Sequence, residues 1–405
     1  MMTSRLSLLP RFRSGTARPA AAAALVTGLS LAAGCSAGDE DPAPSSAPSS
    51  SMTTTSPASA SETTPPTPQV PAEELAPKLL AVGVTDFESA RAAVDAGVRH
   101  LFFGTGSDFS MLNGQGDPER SIAALQRRAG EPLRVSVDEE GGMVQRLAEL
   151  IGTLPAPRDM ARTMTPEQVR DMMAEHGRKM AELGFTVDFA PSIDLAGGEN
   201  IEDNAIGSRS FGSDPQVVAR YARAYVEGLL DAGITPVLKH FPGHGHASGD
   251  SHTGEVFVPP VEQLKQADLK PFAELLEIPG VEVMMGHVQA PGLNPDEPAS
   301  VSPATYGLLR KGWEGFGGYQ GVVYTDDLTG MRAVTDHYPG AEAVVAALSA
   351  GADQGLTAAG EFDLTELINA VTEAIRRGEI APEQAQRSAE RLTPPAQETE
   401  NPGRG

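Results

Sequence analysis

From about residue 75, short apolar runs recur along this chain, each followed by a longer amphipathic stretch. The runs are LLAVGV (79–84), HLFFGT (100–105), LRVSVD (133–138), FTVDFAP (185–191), TPVLKHF (235–241), VEVMMGH (281–287), GVVYTDD (321–327) and ADQGLT (352–357). Their near-continuous apolar character predicts strands buried on both faces, as in a parallel sheet covered by helices. Helical periodicity between them is clearest over 87–97, 166–183, 214–232, 261–276 and 341–350. Eight strand–helix units over roughly 310 residues predict a single-domain α/β fold, a (β/α)8 TIM-type barrel. The rival doubly wound sheet usually carries a glycine-rich turn after its first strand, and GVTDFES is not one.

A barrel of this kind places its active site at the C-terminal ends of the strands. Asp138 ends the third predicted strand, Asp188 and Asp194 flank the end of the fourth, and Lys239 and His240 end the fifth. His287 ends the sixth, and Asp326 with Asp327 ends the seventh. Charged groups inside apolar strands are costly to bury, so their repetition at one end points to a site and not to stability. The loop after the fifth strand belongs to KHFPGHGHASGDSH, residues 239–252, which holds four of the eight histidines: His240, His244, His246 and His252. Pro242 and the glycines exclude a continuous helix there. His240 and His244 have the spacing of a helical zinc motif, but Pro242 and Gly243 remove that helix. No metal or other cofactor is therefore expected.

Residues 1–35 read as a secretory leader, with Arg5, Arg11, Arg13 and Arg18 ahead of the apolar run AAAALVTGLSLAAGC. It ends at the single cysteine, Cys35, in a sequence that resembles the bacterial lipoprotein box. That resemblance implies lipidation of Cys35, although Ala32 stands where the box more often has leucine. Residues 36–74, rich in Ser, Thr, Pro and Ala, cannot bury enough apolar surface to fold and are expected to be a disordered tether. The barrel is expected over 75–393 and a disordered tail over 394–405. The expectation is an exported domain held on the outer face of the membrane by its lipid alone. The net charge of −23 argues against a nucleic-acid partner.

DEEGGMVQRL, IGSRSFG, KHFPGHGHASGDSH and YTDDLTGM stand in this order on successive loops. Together they resemble glycoside hydrolase family 3, in particular its single-domain β-N-acetylhexosaminidases, over about residues 75–393. The resemblance implies that Asp326 is the catalytic nucleophile and His252 the general acid/base, with Asp250 as its partner. It implies sugar binding by Asp138, Arg146, Arg209, Lys239 and His240. Asp327, on the opposite side of the strand from Asp326, is read as structural. His287 is balanced between packing and function, and His244 and His246 have no assigned role. Gln354 stands where relatives carry a more apolar strand end. The two-domain branch of the family supplies its acid from a second sheet domain, for which the 12 residues after 393 leave no room. The implied activity is removal of terminal, non-reducing β-linked N-acetylglucosamine with retained stereochemistry, from peptidoglycan fragments. Alternatives are a β-N-acetylglucosaminide phosphorylase, a β-glucosidase, or an anchored sugar-binding lipoprotein without catalysis.

Overall fold

The computed structural model describes residues 70–196, 205–360 and 362–393; the leader, Cys35 and the tail lie outside them. Eight strands, β1 (Leu80–Gly83), β2 (His100–Phe103), β3 (Arg134–Val137), β4 (Val187–Asp188), β5 (Thr235–Phe241), β6 (Glu282–Met285), β7 (Val323–Asp327) and β8 (Gln354–Thr357), close a barrel in chain order. Every neighbouring pair is parallel, and β8 closes on β1 with Ala81 opposite Leu356. All eight strands fall within the predicted runs. The helices that follow them are α1 (Phe87–Asp95), α2 (Ile122–Ala129), α3 (Pro166–Leu183), α4 (Pro215–Asp231), α5 (Leu269–Leu275), α6 (Pro303–Lys311), α7 (Ala341–Ala350) and α8 (Leu364–Arg377). A last helix, α9 (Pro382–Leu392), packs against the N-terminal end through Ser388 and Arg391, which both bond to Asp353.

Local chemistry sets these boundaries. Asp86 with Ser89 and Thr165 with Gln168 form capping boxes that satisfy the first free N–H groups of α1 and α3. Gly378 stops α8 in the left-handed conformation (φ 76°), which other residues rarely adopt. The stretch 261–276, expected as one helix, divides into Val261–Gln266 and α5, because Ala267 leaves helical geometry and Asp268 turns inward to meet His246. Helical structure also begins before the expected boundary at 75. Ala72–Leu75 forms one turn, and Leu75, Ala76 and Leu79 are buried beneath the barrel.

The barrel interior is apolar apart from a few polar groups, most of which satisfy one another. His100 lies between Gln354 Oε1 (2.6 Å from Nδ1) and Ser136 Oγ (2.8 Å from Nε2), and burial followed by the charge of Arg134 holds its pKa at about 3. Nδ1–H therefore donates to Gln354 and Nε2 accepts from Ser136. Gln354 also donates to the Lys78 carbonyl, so it fills the N-terminal end of the barrel and not the opposite rim.

Asp188 is the interior group least at ease. Its Oδ1 accepts the Glu139 N–H at 3.0 Å, while its buried Oδ2 has no partner among the described residues. Burial, then the Glu139 carboxylate, pushes its pKa well above the usual range. A carboxyl with a raised folded pKa contributes its full stability below its ordinary pKa of 3.8 and loses it as pH rises toward the folded value. Asp188→Asn should therefore raise the melting temperature at pH 7 and above, with the gain fading as pH falls toward 4. Thermal melts across pH 4–8 check this, and a loss independent of pH would contradict it.

Candidate active site

The rim is assembled from several strand ends. After β3 the chain turns through a hairpin in which Glu139–Gly141 pairs antiparallel with Val144–Gln145. Alternation along extended chain sends Asp138 and Glu140 to one side and Glu139 to the other. Glu139 is fully buried and accepts the N–H groups of Arg146 (2.8 Å) and Leu147 (2.9 Å), the Gln145 amide (2.9 Å) and His176 Nε2 of α3 (2.9 Å). Those four bonds fix the hairpin that carries Arg146.

β5 delivers Lys239 and His240. Lys239 Nζ lies 2.7 Å from Asp138 Oδ1 and 2.7 Å from Glu140 Oε1, and Arg209 grips Glu140 through two bonds of 2.8 Å. Burial alone would raise the pKa of Glu140, but Arg209 and Lys239 hold it far below its usual range. Burial would likewise lower Lys239, and Asp138 with Glu140 outweighs it, so this lysine stays charged. Asp194, also buried, accepts His240 Nδ1 at 2.7 Å and the backbone N–H groups of His240 and His244. Burial opposes its ionisation, but the His240 contacts bring its pKa down to about 2. His240 Nε2 is thereby aimed toward Asp326, 3.9 Å from Oδ2. The loop closes tightly on its neighbour: a Cβ at Gly245 would sit 1.9 Å from the Leu195 carbonyl oxygen, so no larger residue fits.

Asp326 ends β7. The Asp327 N–H donates to its Oδ1 at 2.9 Å. Burial pushes its pKa up, but His240, His287, that N–H and Lys239 together keep it below the ordinary carboxylate value. Asp327 turns elsewhere, accepting the N–H groups of Thr329, Gly330 and Ala358 and so tying β7 to β8. His287 is buried between Ser300 Oγ (2.7 Å) and the Asp327 carbonyl (2.8 Å), supporting the strand end without lining the cavity.

A cavity of about 680 Å³, counted to its open mouth, collects all eight residues that the family resemblance named: Asp138, Arg146, Arg209, Lys239, His240, Asp250, His252 and Asp326. Asp250 Oδ1 accepts both the backbone N–H (3.0 Å) and ring Nδ1 (2.7 Å) of His252, which fixes the tautomer and frees Nε2. Burial would raise Asp250, and its bonds to His252 outweigh that and lower it. The residues around the cavity differ in exposure: the His252 side chain is 63% exposed, that of Asp326 14%. His244 lines the wall and is held neutral, with a pKa of about 4, by burial and then by His240. His246 lies outside, paired with Asp268. A second chamber of about 840 Å³, counted the same way, shares Asp138, Arg146, Asp326 and Met331 with the first, but its own walls include Phe102, Met284, Leu356 and Ala358. Among the described residues no group of three or more His, Cys, Asp or Glu side chains is arranged to hold a metal ion.

The arrangement puts an ionised, largely buried carboxylate in one cavity with a solvent-facing histidine–aspartate pair and a set of charged forks suited to vicinal hydroxyls. Sequence reasoning did not single out Glu140, which joins Lys239 to Arg209. Its two-residue spacing from Asp138 was the signal available. The Asp194–His240 and Glu139–His176 pairings had no local signal.

The model of the glycosyl hydrolase family 3 N-terminal domain matches residues 78–394. The chain is 44% identical over 340 residues to the beta-hexosaminidase LpqI of Mycobacterium tuberculosis, covering 83% of this chain and 84% of that protein. It resembles the crystal structure of a family 3 glycosyl hydrolase from Mycobacterium smegmatis, with a TM-score of 0.76 at 47% identity over 80% of this chain and 96% of the other. It also resembles a family 3 beta-N-acetylglucosaminidase from a Paenibacillus species, with a TM-score of 0.70 at 30% identity over 79% of this chain and 61% of the other. The match spans nearly all of the described barrel, and the chain belongs to glycosyl hydrolase family 3.

Proposed function

We propose that this protein is a retaining β-N-acetylhexosaminidase that removes terminal, non-reducing β-linked N-acetylglucosamine. The observation that carries the reading is the pairing, in one cavity, of an Asp326 kept ionised by its neighbours with an Asp250–His252 dyad. In this reading Asp326 attacks the anomeric carbon and leaves as a glycosyl ester. His252 Nε2 gives its proton to the departing oxygen, then takes one from the attacking water, while Asp250 steadies the imidazolium. Asp138, Arg146, Arg209, Lys239 and His240 bind the sugar hydroxyls. The second chamber supports the acetamido preference: its walls of Phe102, Met284 and Leu356 offer the acetyl methyl an apolar slot beside Asp326.

The location and natural substrate belong to the same proposal. A leader ending at Cys35 would anchor the domain by lipid on the outer face of the cell membrane, with the Ser/Thr/Pro-rich segment as tether. There it would meet peptidoglycan fragments, whose N-acetylglucosamine ends fit the proposed site.

Turnover of an aryl β-N-acetylglucosaminide beside the matching β-glucoside, each with and without phosphate, tests the reading. Hydrolysis of the acetamido sugar in plain buffer, at least about tenfold faster than the glucoside, is expected. Sugar 1-phosphate formed only with phosphate would make the protein a phosphorylase, and no turnover of either would leave a binding protein. His252→Ala should lose about 100-fold or more in kcat for a phenyl leaving group and far less for dinitrophenyl, which needs little protonation. An equal loss with both would contradict the acid/base role.

A further inference from the structure

Ser251 is 4% exposed, although it stands between Asp250 and His252, whose side chains are 45% and 63% exposed. What buries it is the segment that follows Asp326. The Ser251 carbonyl accepts the Ala333 N–H at 3.1 Å, and its hydroxyl faces the Met331 sulfur at 3.8 Å. Ala333 belongs to the first turn of the short helix Arg332–Thr335, where an N–H has no acceptor within the helix and is available to another segment. A second tie follows along the same two segments, His337 Nε2 to Glu255 Oε1 at 3.3 Å. The platform is in turn registered to Asp326, because both Asp327 carboxylate oxygens accept N–H groups of the Thr329–Gly330 turn. Elsewhere the loop is tied by His244 to Asp194 and by His246 to Asp268 at its start, and at its far end by Gln289 to Glu255 and by the pairing of Val256–Phe257 with Val288–Gln289.

We propose that Met331, Ala333 and His337 form a seat for the dyad loop that sets the height of Asp250–His252 relative to Asp326. This rests on the reading of His252 as the acid/base. The seat residues are positioning residues: the Ala333 N–H acts through Ser251, not on the sugar. One strand end thus carries the residue that attacks and also supports the residue that protonates. Displacing the seat misplaces the proton donor while leaving Asp326 and the hydroxyl-binding forks where they are. The expected signature is a defect that grows as the leaving group becomes harder to expel.

Ala333→Pro deletes the donated N–H in the first helical turn, where no intrahelical bond is lost, and Ala333→Gly keeps it. With phenyl and dinitrophenyl β-N-acetylglucosaminides, Ala333→Pro should lose about tenfold or more in kcat on the phenyl substrate, with KM unchanged. It should stay within about threefold on the dinitrophenyl substrate, and Ala333→Gly should follow the wild type on both. Equal losses on both substrates, a defect confined to KM, or no loss on either would overturn the proposal. If Ala333→Pro fails to fold, Glu255→Gln, which weakens the tie to His337, is read by the same leaving-group comparison. A selective loss supports the seat, and a loss independent of leaving group, or none, overturns it. A wild type that turns over neither substrate would overturn the glycosidase reading as well, which separates the two failures.

Discussion

A charge can be buried at the mouth of a barrel only if an opposite charge from another segment meets it, and this constraint shapes the whole site. Lys239 from β5 lies between Asp138 and Glu140 from the β3 hairpin, and Glu140 in turn holds Arg209 from the loop after β4. Asp194 does the same for His240. Each pairing joins segments far apart in sequence, so the ion network assembles the site as well as neutralising it. Removing one member would leave another charge buried and unpaired, at a cost of about 3–5 kcal/mol. The same field sets the chemistry, since His240, His287 and Lys239 outweigh the burial that would otherwise protonate Asp326.

The barrel was legible because strands buried on both faces must be apolar throughout, and the eight runs contain all eight strands. What was not legible depended on contacts between distant residues. Nothing in 261–276 announces that Asp268 turns inward to His246, beside the residue where the helix breaks. Residues 72–74 look like the end of a polar tether, yet they form the helical turn that leads into the buried Leu75 and Ala76. Gln354 reads as an odd residue near the pocket, but its amide completes the His100 network at the other end of the strands.

The site divides along the same line. Charges at strand ends stand out in an apolar run, which is why Asp138, Lys239, His240 and Asp326 could be picked out and found around one cavity. Glu140 was visible only to an argument from alternation, and Asp194, marked by its place at a strand end, gained its role only once its partner 46 residues away was in place. Ser251 gave no sign at all, because a serine between two polar residues looks solvated until another loop covers it. His287 and Asp327 carry the polarity of catalytic groups, yet their bonds show them bracing β7.

In the proposed mechanism the residue that must not move sits on a strand, and the residue that must exchange protons with water sits on a loop. Asp326 is therefore the claim on which the rest stands. Incubation with a 5-fluoro N-acetylglucosaminyl fluoride, which forms a glycosyl ester faster than it releases it, followed by peptide mapping, tests that claim directly. The account predicts one sugar ester on the peptide containing Asp326, absent from Asp326→Asn. An ester on another carboxylate, or steady hydrolysis with inverted product, would contradict it.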